Sequence, residues 1–141
     1  MGLAKVTPTS SADGSFTATL TGQATYPASY FDSGSNFYYI TLNGVPTDNN
    51  PYSTNYGNYI PSSPIAFTGT AGGVPVSFSL FDITTDYNNG NQAFNDNGNN
   101  GGGLAGTSAD FGMPYYYGHT IASVMAGKTV TEGTGAFYAI Q

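Results

Sequence analysis

The chain has 141 residues, a formal net charge of −6 and only two cationic side chains, Lys5 and Lys128. Charged residues are 7% of the composition, against ~25% in an ordinary globular domain. That poverty of Lys and Arg excludes nucleic acid and anionic membranes as partners, since both are held through cations on phosphate. The absence of cysteine excludes disulfides and thiolate metal sites.

One domain over residues 1–141 is the natural organisation at this length. Apolar residues are 39%, with 9 Phe and 12 Tyr, so a genuine core is expected and disorder is not. No stretch reaches the ~18 apolar residues of a membrane span. Met1-Gly2-Leu3-Ala4-Lys5-Val6 lacks the basic start and long apolar run of a secretory leader. None of the 13 asparagines opens an Asn-x-Ser/Thr triplet, which removes N-glycosylation.

Along the chain the dominant period is two, the repeat of a strand. Residues 3–7 add a first short strand, and Ser15-Phe16-Thr17-Ala18-Thr19-Leu20-Thr21 alternates apolar and hydroxyl residues as a half-buried one. Residues 36–42 are aromatic and β-branched, and the following Asn43-Gly44 is a hairpin turn signal. Residues 44–46 would start the return strand, limited to an edge by Pro46. An irregular stretch over 47–63 carries Tyr52, Tyr56 and Tyr59. Strands follow over 64–69 and 74–83, joined by Ala71-Gly72-Gly73, and in the second Val74, Val76, Phe78 and Leu80 share a face. A long Asn/Gly-rich stretch covers 84–110. At most one short helix is expected near 120–126: Thr120 caps it, Ile121, Val124 and Met125 fall at i, i+3 and i+4, and Gly127 ends it, although the same residues also read as a strand. Residues 128–131 and 135–140 bracket Glu132-Gly133-Thr134-Gly135 as a terminal hairpin. The expected fold is all-β, an antiparallel β-sandwich or jelly roll with long loops.

Chemistry-bearing residues are few. His119 is the only histidine, and Gly106-Thr107-Ser108-Ala109-Asp110 beside it lacks the second glycine of a nucleophile elbow. Glu132 is the only glutamate and sits in a turn signal, and nothing marks the carboxylate pair a glycosidase needs. No phosphate loop, zinc motif or nucleotide fingerprint occurs. The chain therefore reads as no enzyme. Calcium is the ligand its acids suit best, with Asp82, Asp86, Asn88 and Asp96 as candidate oxygen donors. The pattern departs from an EF-hand loop, and the same residues also favour turns through side-chain-to-backbone bonds. The other candidates are tyrosines: Tyr52, Tyr56 and Tyr59 on one loop, and the run Tyr115, Tyr116, Tyr117 on another. Such rings bury large area and bring a hydroxyl, which serves protein interfaces, sugars or the chain's own core alike.

A molecule so stripped of ionisable groups is expected to adhere rather than to transform. The leading expectation is a non-catalytic structural subunit of a virion, of capsid decoration, cement or head-fibre type. It would assemble with copies of itself or with a capsid or filament partner, in a virion or outside a cell. The alternative is a lectin-like carbohydrate-binding β-sandwich for adhesion, calcium-dependent or not, or an extracellular filament subunit.

Overall fold

A computed structural model describes residues 2–90, 93–101 and 106–141 of the chain. Expectations that fall on Met1, residues 91–92 and the glycine-rich residues 102–105 lie outside the described residues.

The architecture is all-β with two short helices. In chain order the elements are β1 (Ala4–Lys5), β2 (Phe16–Leu20), β3 (Thr25–Phe31), β4 (Tyr38–Ile40), β5 (Ile65–Ala71), β6 (Val74–Leu80), α1 (Ile83–Asn88), β7 (Gly98–Asn99), β8 (Ala109–Phe111), α2 (Met113–Tyr116), β9 (Ile121–Val124), β10 (Thr129–Val130), β11 (Gly133–Thr134) and β12 (Phe137–Ile140). A seven-stranded sheet runs β6-β5-β2-β3-β8-β4-β7, a three-stranded sheet runs β1-β12-β9, and β10 and β11 form a small ribbon. Pairing is antiparallel except at β3–β8 and β4–β7. Among the described residues no helix is long and apolar enough to cross a membrane.

The period-two segments fold as their patterns dictate. In β2, Phe16, Ala18 and Leu20 point inward, while Thr19 meets Thr70 of β5 hydroxyl to hydroxyl at 2.8 Å on the outer face. In β6, Val76, Phe78 and Leu80 are buried and Val74 half-buried. Where β5 crosses β2, a Cβ on Gly69 would run into the carbonyl of Thr19, so that close approach needs glycine.

The core is aromatic. Phe16 lies 5.0 Å from Phe31 and 6.2 Å from Phe111, ring centre to ring centre. Tyr138 of β12 meets Phe16 and Phe31 edge-on at 5.9 and 5.3 Å, and this contact seats the small sheet on the large one. Phe78 stacks on Tyr38 at 4.5 Å and on Phe67 at 5.3 Å. Each such pair adds ~0.5–1.5 kcal/mol beyond the area it buries.

Four expectations need correction. Residues 121–124 form β9, not a helix: β-branched Ile121 and Val124 pair with Ile140 and Phe137, and four ladder partners outweigh a one-turn helical pattern. The two helices stand elsewhere. Asp82 caps α1 through Thr84 N–H at 2.9 Å, and Pro114 at the start of α2 presets its φ. The terminal hairpin is smaller than expected. Thr129–Val130 pairs with Gly133–Thr134, while Phe137–Ile140 pairs with β9 and β1 instead. Residues 44–46 start no return strand; the turn at Gly44 (φ +76°) leads to a single bridge between Thr47 and Tyr59.

Strand β3 has no counterpart in the sequence reading. Its inward residues are Tyr26, Ser29 and Phe31, because a bulge between its pairs with Phe16 and Ala18 breaks the alternation. Pro27 sits in that bulge, where no ladder N–H is required. Ser29 then becomes a buried link: its hydroxyl donates to Tyr26 C=O at 2.9 Å and accepts Ala109 N–H at 3.1 Å.

Candidate functional site

The expected contact tyrosines divide between core and surface. Tyr52 is 95% and Tyr56 59% exposed on the loop before β5. Tyr59 on the same loop is 1% exposed. Its hydroxyl donates to Ile40 C=O and accepts Leu42 N–H, both at 2.7 Å, and burial pushes it up to about 12. Tyr115 is likewise 1% exposed, packed on Phe31 and Phe111, and pushed up to about 12 by burial. Tyr116 is half-buried and Tyr117 exposed. Tyr59 and Tyr115 thus hold this chain together and offer no surface to a partner; Tyr52, Tyr56 and Tyr117 do.

A residue outside the expected set completes an exposed aromatic surface. Ile83 and Tyr87 stand one turn apart on α1 and form a ridge between two adjoining clefts. The first, of about 340 Å³, is walled by Phe37, Phe94, Met113 and Tyr117, with Asn36 at its rim. The second, of about 350 Å³, is lined by Thr54, Asn55, Thr84 and Asn88. Phe37 is braced edge-on by Tyr39 at 5.8 Å. Asn36 accepts the Tyr39 hydroxyl on its amide oxygen at 2.9 Å, and Asn55 spends its amide nitrogen on Thr84 Oγ1 at 3.1 Å.

The four expected calcium donors do not come together. Asp82 has both oxygens engaged on α1, with Thr84 N–H at 2.9 Å and Thr85 Oγ1 at 3.0 Å. Asn88 is exposed at the far end of the same helix. Asp86 and Asp96 alone meet, joined by a hydrogen bond between their carboxyl groups. Asp86 is 8% exposed and its Oδ2 has no partner. Burial raises Asp96 to about 6, with the charge and hydrogen bond of Asp86 adding to it. Among the described residues no three His, Asp or Glu side chains gather as a metal cluster.

A second buried acid escaped the sequence reading. Asp110 of β8 is 3% exposed, and Ser35 Oγ lies 2.6 Å from its Oδ2 and 3.0 Å from Asp32 Oδ2. Burial raises Asp110 to about 6; the Ser35 bond pulls it down and the Asp32 charge pushes it up. Its only sequence signal is a charge inside an apolar strand, Ala109-Asp110-Phe111. His119 stacks flat on Tyr115 at 4.2 Å, and its Nδ1–H donates to the Tyr115 carbonyl at 2.8 Å. The crevice beside it is lined by Val74, Pro75 and Ile140 among others, with no Asp or Glu side chain among its described lining residues.

The sheet edges differ in how they are guarded. β6 carries Pro75. β7 has two residues, and its outer side meets Asn58 in a bridge. β1 also has only two residues. β9 has four, Ile121-Ala122-Ser123-Val124, without charge or proline. The Thr120–Gln141 pair bonds in both directions at 3.0 Å. Antiparallel alternation then turns the backbone N–H and C=O of Ile121 and Ser123 away from β12. Among the described residues no strand occupies that side, and Met125 beyond it is 73% exposed.

A family model described as "Protein of unknown function (DUF3443)" matches residues 2–140, and the chain belongs to that family. No curated protein and no solved structure matches the chain.

Proposed function

We propose that this member of the DUF3443 family is a non-catalytic assembly protein that extends its β9 edge into a neighbouring subunit. The observation that carries the reading is the unguarded strand Ile121–Val124, with Ile121 and Ser123 directing backbone donors and acceptors outward. A sheet edge of this kind is a template for another chain unless proline, charge or brevity blunts it, and the other three edges are blunted in those ways. Strand addition gives affinity through main-chain bonds and needs no charged side chains, which accords with two lysines in 141 residues.

The setting we propose is the outside of a virus particle, as a capsid decoration, cement or head-fibre subunit; an extracellular filament would use the same edge. Calcium belongs to this reading as an auxiliary ligand of Asp86 and Asp96, with water and backbone carbonyls filling its shell. Equal melting temperatures in calcium and in chelator remove it.

The deciding experiment is Ser123→Pro. Proline deletes an outward N–H, while the ladder to β12 through Thr120, Ala122 and Val124 stays intact. Sedimentation should show a concentration-dependent oligomer for the parent and a monomer for the variant, with unchanged melting. A parent that is monomeric at every concentration, or a variant that still assembles, rejects the reading.

A further inference from the structure

We infer that the paired clefts astride α1 form a binding site for a neutral oligosaccharide. This goes beyond assembly through β9 and does not depend on it. The site is built from stretches far apart in sequence: Asn36 and Phe37 before β4, Tyr87 on α1, Phe94 after it, and Tyr117 after α2.

Charge narrows the ligand first. Neither lysine lines either cleft; Lys5 lies over the Phe137 ring at 4.2 Å and donates to Glu132 C=O at 3.1 Å. An anionic ligand therefore has no partner here. No acid lines the clefts either: Asp86, the one carboxylate within α1, is turned into the protein at 8% exposure. A cationic ligand gains nothing specific.

Hydrogen bonding narrows it further. In the first cleft Asn36 accepts the Tyr39 hydroxyl on one lone pair of its amide oxygen, which leaves the second lone pair and the amide N–H groups to a ligand. In the second Asn55 donates one amide N–H to Thr84, which leaves the other N–H and the carbonyl oxygen to a ligand. A ligand spanning both therefore meets donors and acceptors in each cleft and binds best if it can itself do both. A proline-rich peptide, the usual guest of an aromatic groove, presents acceptors but lacks N–H donors at its prolines. Sugar hydroxyls do both. The rings of Tyr87 and Tyr117, 71% and 45% exposed, supply flat apolar faces for the C–H side of a sugar ring, and their hydroxyls reach its edge. Each cleft lies within the range of volumes ordinary for ligand sites.

The test is calorimetric titration of the full chain with neutral hexaoses of glucose, mannose, galactose and N-acetylglucosamine, with decaproline as the competing probe. Tyrosine emission gives a second readout, since the chain has no tryptophan. At least one hexaose should bind. Tyr87→Ala and Tyr117→Ala should each weaken it about tenfold at unchanged melting temperature, and Tyr52→Ala, outside the clefts, should not. Repeating the titration with Ser123→Pro keeps the result separate from assembly. Binding by none of the hexaoses, binding indifferent to Tyr87 and Tyr117, or capture of decaproline in their place overturns the inference.

Discussion

Tyr115 and Tyr117 are two residues apart in one run of three tyrosines, yet the first is 1% exposed and the second 45%. The single turn of α2 swings Tyr115 onto Phe31 and Phe111, and the chain leaves the helix before Tyr117. A similar division separates Tyr59 from Tyr52 on the earlier loop. The same side chain thus serves as core in one setting and as exposed surface in the other. What decides is the packing the backbone offers: Tyr115 is buried by ring contacts with Phe31, Phe111 and His119, and Tyr59 adds two hydroxyl bonds to its burial. A ring that both packs and bonds cannot be trimmed without cost; a ring that waits for a partner can.

The sharpest way to break that division is Tyr115→Ala. Removing a fully buried ring that also supports His119 should lower unfolding free energy by about 3–5 kcal/mol, read from denaturant midpoints. A loss no larger than that of a surface residue would mean the ring is not core. Next comes Tyr59→Phe, which keeps the ring and deletes the hydroxyl bonded to Ile40 and Leu42. It should cost about 1–3 kcal/mol, because a buried backbone N–H and C=O lose their partner.

Burial acts on carboxyls as it does on these phenols, favouring the protonated form, and so extends the comparison to pH. Asp96 and Asp110 are raised from 3.8 to about 6, so the folded state binds their protons more tightly than the unfolded chain. Their contribution is full below the unfolded value and is lost as pH rises through about 6. Asp13, held down chiefly by the Ser15 N–H, and Asp48, held down chiefly by the Ser53 hydroxyl, work in the opposite sense only at lower pH. Melting temperature should therefore fall from mildly acidic to mildly alkaline buffer, and Asp110→Asn should flatten the slope. A curve that rises over that interval would contradict the burial of both acids. The smallest stability effect belongs to Tyr117→Ala and Tyr52→Ala, within about ±0.5 kcal/mol. A larger loss would move either ring from surface to core.

How much of this was legible depended on whether a signal was local. The strands β2 and β6 are readable because their alternation is unbroken over five and seven residues. β3 is not, because the bulge at Pro27 resets its period and its inward Ser29 looks polar. Ile121, Val124 and Met125 fit helical spacing while β-branched Ile121 and Val124 also suit a strand; the choice belongs to residues 137–140, which pair with 121–124 from a distance. Burial of individual tyrosines is a tertiary outcome, so Tyr115 and Tyr117 could not be told apart within Tyr115-Tyr116-Tyr117. The clefts draw on residues from 36 to 117, with no linear motif. The four expected calcium donors stand apart for a local reason: Asp82 caps a helix, a role its sequence neighbours Thr84 and Thr85 fit.

The pairing of Ala4 with Ile140 sets an order of events during synthesis. The ribosome makes the second strand, its hairpin partners and most of the aromatic interior long before residue 140 leaves the exit tunnel. Until then Tyr138 is missing from its place against Phe16 and Phe31, and one side of that interior stays uncovered. Contacts of such sequence separation slow closure.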